Sequence, residues 1–115
     1  MLVSVLQAKI HRATVTDSNL NYDGSITVDT ELLAQAGMAA FQQVQIYNIA
    51  NGQRFETYLM NGAPNSGEIV INGAAARLVA VGDLIIIAAY ALVSPDEAAK
   101  WQPRVVLVDA HNRSR

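Results

Sequence analysis

The dipeptide Asn51-Gly52 constrains the fold more than any other feature of the chain. Both residues tolerate a positive φ, and between two alternating segments this pair is the strongest short-range signal for a β-hairpin. In the segment before it, 43–49, apolar residues alternate with Gln and Asn. We therefore predict a strand over 43–49, a tight turn, and a return strand over 53–60.

Strand-like composition also recurs elsewhere, in short segments bounded by turn residues. These segments are Val3–Thr16, Glu68–Ile71, Leu84–Val93 and Val105–Val108. Two short helices are predicted as well. Asp29 or Thr30 can cap the first, with Gly37 at its C-terminal end, and the second begins at the Ser-Pro-Asp-Glu run 94–97. Many short strands and two short helices predict a mainly β chain that forms one domain, 1–115, as a small closed β-barrel. The polar tail 111–115 is expected to be frayed.

Composition narrows the possible partners and the location. Only 16% of the residues are charged, against about 25% in an average protein, so part of the surface is expected to be buried against copies of the same chain. A net charge of −2 argues against nucleic acid, and the absence of cysteine with only two histidines argues against a metal site. No segment predicts a membrane span or a signal peptide, and a cytoplasmic location is expected.

Gly24-Ser25 is the feature that points to chemistry. The Gly24 carbonyl is open to attack because glycine has no side chain, and Ser25 carries a hydroxyl one residue on. In a strained backbone that hydroxyl can attack the carbonyl and convert the peptide bond to an ester. Elimination from the ester would divide the chain into 1–24 and 25–115 and leave a pyruvoyl group at residue 25. On the dipeptide alone, an ordinary turn after a strand is the alternative.

Three flanking motifs surround this dipeptide: Lys9-Ile10-His11-Arg12, Arg54-Phe55-Glu56-Thr57-Tyr58 and Asn72-Gly73-Ala74-Ala75-Ala76. In that order and spacing they resemble the bacterial aspartate 1-decarboxylases, over nearly the whole chain from Leu6 to about Pro103. The resemblance implies a double-psi β-barrel assembled as a homotetramer. It also implies a cytoplasmic lyase that cuts itself autocatalytically from a zymogen and decarboxylates L-aspartate to β-alanine for pantothenate synthesis. The cofactor would be the pyruvoyl group of Ser25, which forms a Schiff base with the substrate, with no metal and no pyridoxal phosphate.

The resemblance also implies a set of site residues. Ser25 and Tyr58 would be catalytic, Tyr58 as the proton donor, and Gly24, Ser25 and Thr57 would serve self-cleavage. Substrate would be bound by Lys9, His11, Arg54, Thr57, Asn72, Gly73, Ala74 and Ala75. Tyr22 is expected to line the site, and Tyr47 to do so less directly.

Elementary chemistry supports several of these roles and leaves alternatives open. Lys9 and His11 are two residues apart in a strand-like segment and share a face, so they can meet a carboxylate, although both can equally be solvated surface residues. Arg54 has the planar fork that suits a carboxylate, or it is an ordinary surface Arg beside a turn. Tyr58 suits general acid work, or it packs across strands. Thr57 should point to the opposite face from Tyr58 in a regular strand.

Two other functions compete with this prediction. A non-catalytic double-psi-like β-barrel interaction module would keep its peptide bonds intact, and fold alone does not decide between the two. Another pyruvoyl decarboxylase could act on a different amino acid. Lys9 and Arg54 together favour a doubly acidic substrate, but a difference of one methylene is worth only about 1–3 kcal/mol, so some turnover of glutamate stays open.

Overall fold

Eight strands dominate the computed structural model, which describes all 115 residues. The strands are β1 (Val3–Thr14), β2 (Asp17–Asn19), β3 (Ser25–Asp29), β4 (Gln43–Asn48), β5 (Arg54–Gly62), β6 (Ile69–Asn72), β7 (Leu84–Val93) and β8 (Arg104–Leu107). Two α-helices, α1 (Thr30–Ala36) and α2 (Pro95–Ala99), and a 3-10 helix (Gly73–Leu78) lie between them. The prediction of a mainly β chain with two short helices is confirmed. No helix is both long and apolar enough to cross a bilayer.

The strand order and the chain connections bring the two ends of the sheet close together. The order is β2-β6-β3-β5-β4-β7-β1-β8, so β2 lies at one edge and β1 lies next to the other. Only Val15 and Thr16 separate these two strands in the chain, and that link spans at most about 11 Å. The sheet therefore curls enough to bring its β2 edge close to one end of β1. At this junction the Thr16 amide donates to the carbonyl of Ile69 at 2.9 Å.

The core fills the interior of this barrel. Alternate positions along the strands are fully buried, which is the period of two expected when one sheet face is covered. The largest fully buried side chains include Ile10, Ile26, Ile46, Leu59, Ile71, Ile85 and Ile87. Each such side chain contributes about 1.5–3 kcal/mol of transfer free energy. The core therefore fixes the positions of the strand ends, and these strand ends carry the candidate site.

The local signals in the sequence are confirmed. The predicted hairpin joins β4 and β5, with Tyr47 paired to Arg54 and Gly52 at φ +76°. Asp29 caps α1 by accepting a hydrogen bond from the Glu31 amide, and Gly37 ends that helix with φ +68°. Helix α2 has Ser94 as its N-cap and Pro in its first turn.

Two features differ from the sequence-based expectations. Strands β2 and β3 were not predicted; β2 lies at one edge of the sheet, and β3 lies in its middle between β5 and β6. The expectation of a frayed tail is wrong at Asn112, which is 1% exposed. Its side chain accepts a hydrogen bond from the Thr14 amide at 2.7 Å and donates to the carbonyls of Thr14 and Gly67 at 2.9 and 2.7 Å. A buried amide with these partners anchors the tail to the barrel.

Candidate active site

Ser25 is the first residue of β3 and lies beside the end of β6, where it pairs with Asn72. Both side chains are buried. The Asn72 amide nitrogen donates to Ser25 Oγ at 3.2 Å and to Thr27 Oγ1 at 3.2 Å. The Ser25 hydroxyl in turn donates to the carbonyl of Asp23 at 3.4 Å. The hydroxyl next to the Gly24 carbonyl is therefore held from two sides.

A cleft of about 640 Å³ opens beside Ser25. It brings together three of the predicted site residues, Ser25, Tyr58 and Asn72, and Tyr22 lines it as expected. The other lining residues are Asp17, Asn19, Asp23, Thr27, Phe41, Met60, Asn61, Glu68 and Val70. Tyr58 is 37% exposed, so its phenol is accessible to a molecule bound in the cleft.

The charged side chains that line this cleft are all acidic. Its lining includes the carboxylates of Asp17, Asp23 and Glu68 and contains no Lys, Arg or His. A ligand with two carboxylates would meet only like charge here, and like charges in a shared site repel. The cleft of a single chain therefore lacks the cations that an acidic amino acid needs.

The predicted cationic residues lie elsewhere on the same chain. Lys9, Arg54 and Thr57 are absent from the lining of the Ser25 cleft. Lys9 and His11 alternate along β1 with the fully buried Ala8 and Ile10, and both are half-buried, so they share a face as expected.

His11 lines a second cleft of about 350 Å³, together with Arg12, Asp109 and Arg115. Its Nδ1 atom is buried and has no hydrogen-bond partner. Burial lowers the pKa of His11, and the positive charges of Lys9, Arg12 and Arg115 lower it further. The imidazole is therefore neutral at pH 7, where it can donate one hydrogen bond and accept another.

Arg54 is part of an aromatic cluster on the sheet surface. Its guanidinium lies 4.1 Å from the centroid of the Tyr47 ring, within the range of a cation–π interaction. The Tyr47 and Tyr90 hydroxyls are 2.7 Å apart. This hydrogen bond raises the pKa of Tyr90, and burial of the phenol raises that pKa further. The cluster holds the Arg54 guanidinium against an aromatic face.

Gly73, Ala74 and Ala75 form the start of the 3-10 helix. Gly73 is buried against the Tyr22–Gly24 backbone, whereas Ala74 is exposed and Ala75 is half-buried. The helix places these residues directly after Asn72, at the same end of β6 as Ser25.

Sequence reasoning missed several residues of the site. Thr27 accepts a hydrogen bond from Asn72, and it could have been found because it lies two residues after Ser25 on the same strand face. Tyr90 gave no signal, because its partner Tyr47 is 43 residues away. Phe41, 73% exposed with φ +70°, lies in a loop that no motif marks. No group of three or more His, Cys, Asp or Glu side chains is placed to hold a metal ion.

Comparison with known proteins identifies the family. The model of the aspartate decarboxylase family matches residues 1–115. The chain belongs to the aspartate decarboxylase family. An aspartate 1-decarboxylase of Campylobacter hominis is 56% identical, over 99% of this chain and 98% of the relative. Those of Caldicellulosiruptor saccharolyticus and Xanthomonas campestris pv. campestris are each 55% identical, covering 98% and 97% of this chain and 88% and 89% of their own lengths.

The family predicted from the three motifs is confirmed by these matches. Among solved structures, the rationally designed mkDPBB_sym1 protein superposes with a TM-score of 0.48 at 19% identity, covering 74% of this chain and 96% of that one.

Proposed function

We propose that this chain decarboxylates L-aspartate to β-alanine and carbon dioxide, the step that supplies β-alanine for pantothenate synthesis, after cutting itself between Gly24 and Ser25. The observation that carries the proposal is the buried Ser25 hydroxyl, held by Asn72 directly after Gly24 and at the wall of a cleft. Family membership supports the same reaction.

Self-cleavage needs only atoms of the chain and one water molecule. Ser25 Oγ attacks the Gly24 carbonyl carbon, an O–C bond forms, the C–N bond breaks, and the hydroxyl proton passes to the released amine. Loss of the Ser25 α-proton then expels the Gly24 carboxylate and leaves a double bond between Cα and Cβ of residue 25. Water adds at Cα after tautomerisation and ammonia leaves, which gives a pyruvoyl group at the start of the 25–115 fragment.

The residues around Ser25 fit such a group. Asn72 already donates to Oγ, so its amide would donate to an oxygen of the group in the same place. A pyruvoyl ketone supplies an electrophile for the substrate amine and a sink for the electrons released with carbon dioxide. Tyr58, on the wall of the same cleft, would then return a proton to the substrate carbon.

The cations for the two carboxylates of aspartate would come from a second copy of the chain. The acidic lining of the Ser25 cleft supports this arrangement, because Lys9 and Arg54 are on the same chain but outside the cleft. We propose a closed homo-oligomer, four copies by the family resemblance, in which Lys9, His11 and Arg54 of one copy face Ser25 of another. Thr57 would assist self-cleavage from the same boundary, and the Gly73–Ala75 backbone would contact substrate.

Exposed apolar residues support this assembly. Tyr90 and Leu92 on β7 and Val105 and Leu107 on β8 are each more than 40% exposed, and burying such side chains against another copy would remove apolar surface from water. Light scattering at micromolar concentration is expected to give about four times the mass of one chain. A stable monomer that decarboxylates aspartate would contradict the shared site. We place the protein in the cytoplasm, where aspartate is available.

The proposed reaction is tested by incubating purified protein with L-aspartate and, in parallel, with L-glutamate. Carbon dioxide and β-alanine should be released from aspartate. Faster release of carbon dioxide from glutamate would show that glutamate, and not aspartate, is the preferred substrate. A chain that releases carbon dioxide from neither, and stays whole, would support the non-catalytic module, which family membership does not favour.

A further inference from the structure

Two glycines face each other at the end of the β3–β6 ladder. Ser25 pairs with Asn72 and Ile26 with Ile71 in an antiparallel register, so the next position outward brings Gly24 opposite Gly73. The ladder ends there because Gly73 turns into the 3-10 helix. The peptide bond proposed for cleavage therefore begins at one member of this glycine pair.

Only one of the two glycines is required by packing. A Cβ atom at Gly73 would lie 2.6 Å from Gly24 Cα, 2.8 Å from Gly24 N and 3.1 Å from the Tyr22 carbonyl oxygen. These are backbone atoms, which cannot rotate away as a flexible side chain can. Gly73 also has φ +73°, a conformation that disfavours any L side chain. A Cβ atom at Gly24 would meet nothing within 4 Å.

The segment that rests on Gly73 has little else to hold it. Asn21, Tyr22, Asp23 and Gly24 are all exposed, and Tyr22 is 68% exposed. Ser25 is held by the ladder and by Asn72, and its side chain's one hydrogen bond to this segment is the long 3.4 Å contact with the Asp23 carbonyl. A side chain at position 73 would therefore displace the backbone carrying the Gly24 carbonyl while the Ser25 hydroxyl stayed in place.

We propose that Gly73 is a positioning residue for self-cleavage: its bare Cα is the surface that holds the Gly24 carbonyl beside Ser25 Oγ. The inference rests on the proposed self-cleavage and adds to it a role distinct from contact with substrate. Attack requires the reacting atoms to be about 3–3.5 Å apart, and a misplacement of about 1 Å can cost about 10²-fold in rate.

The chain offers matched controls for Gly73→Ala. Gly52 and Gly82 also have positive φ, +76° and +96°, but a Cβ atom at either meets nothing within 4 Å. Gly52→Ala and Gly82→Ala therefore impose the same kind of backbone strain without the collision. All three variants and the unsubstituted chain are followed by intact mass spectrometry from the single chain to the 1–24 and 25–115 fragments, with circular dichroism confirming the fold.

The expected result is that Gly73→Ala folds and cleaves about 10²-fold more slowly than Gly52→Ala and Gly82→Ala. Cleavage of Gly73→Ala within threefold of the two controls, as a rough bound on ordinary context effects, would overturn the inference. Failure of Gly73→Ala alone to fold would also overturn it, because the contact would then serve the fold and not the cleavage. If the unsubstituted chain also fails to cleave, the proposed self-cleavage is itself wrong. That result differs from slow cleavage of Gly73→Ala alone, so the two failures can be told apart.

Discussion

Asn72 Nδ2 donates to Ser25 Oγ at 3.2 Å across 47 residues of sequence. The contact forms because β3 and β6 are antiparallel neighbours with these two residues in register. One amide side chain thus holds the Ser25 hydroxyl in position. The pairing therefore anchors Ser25, and the other groups of the candidate site have to lie close to it.

Tyr58→Phe separates cleavage from decarboxylation. The substitution keeps the ring on the cleft wall and removes only the phenolic proton, so the chain should still cut itself fully. Decarboxylation of aspartate should fall by about 10²–10⁴-fold, the usual contribution of a general acid. Intact mass and carbon dioxide release are measured on the same sample. Turnover equal to that of the unsubstituted protein would show that Tyr58 is not the acid.

Arg54→Ala should cripple decarboxylation and leave cleavage at Gly24-Ser25 intact, because Arg54 is assigned to the carboxylates of the substrate and not to self-cleavage. Loss of hydrogen bonds to a charged group costs about 1.5–3 kcal/mol, so kcat/KM for aspartate should fall by about 10- to 150-fold. Arg113→Ala, which removes an exposed arginine, is the control and should change neither readout. An uncleaved Arg54→Ala chain would place Arg54 in maturation instead.

Asp83 should stabilise the fold in a pH-dependent way. Hydrogen bonds from the Asn48 side chain and then from the Ala80 amide lower the pKa of its carboxyl. A carboxyl whose pKa is lower in the folded chain contributes stability above the unfolded pKa of about 3.9, and that contribution is lost as the pH falls through the folded value. Asp83→Asn should therefore cost about 1–2 kcal/mol at pH 7 and progressively less below pH 4, by the difference between charged and neutral hydrogen bonds.

Chemical denaturation of the uncleaved Ser25→Ala chain, with and without Asp83→Asn, measures this difference without interference from cleavage. If Asp83→Asn lowered the free energy of unfolding by the same amount at pH 7 and at pH 3, the ionised carboxylate would contribute no more stability than its protonated form.

The parts of the fold that sequence predicts are those determined by neighbouring residues. Asn51-Gly52 specifies a turn because its conformational preferences are local, and Ser94 and Pro95 start α2 for the same reason. Strand β3 is only five residues long, and it is placed by β5 and β6 on its two sides, so no local pattern marks it. Asn112 looks like a solvated tail residue until the partners Thr14 and Gly67 are known.

The residues of the candidate site also divide into those that the sequence predicts and those that depend on the fold. Motif resemblance identified Ser25, Tyr58 and Asn72, and the structure brings them to one cleft. Lys9 and Arg54 belong to the same motifs but lie away from that cleft, because a motif does not record where the fold places each of its residues. The contact of Gly73 with Gly24 could not be predicted either, since it depends on the register of two strands.

Self-cleavage at Ser25 is tested most directly by intact mass spectrometry combined with an aspartate decarboxylation assay, on the unsubstituted protein and on Ser25→Ala. The unsubstituted protein should give two fragments, 1–24 and 25–115, the second with a blocked N-terminus, and should release carbon dioxide. Ser25→Ala should remain a single chain of 115 residues with no activity. Scission of Ser25→Ala at Gly24, or decarboxylation by an uncut unsubstituted chain, would contradict the role of Ser25.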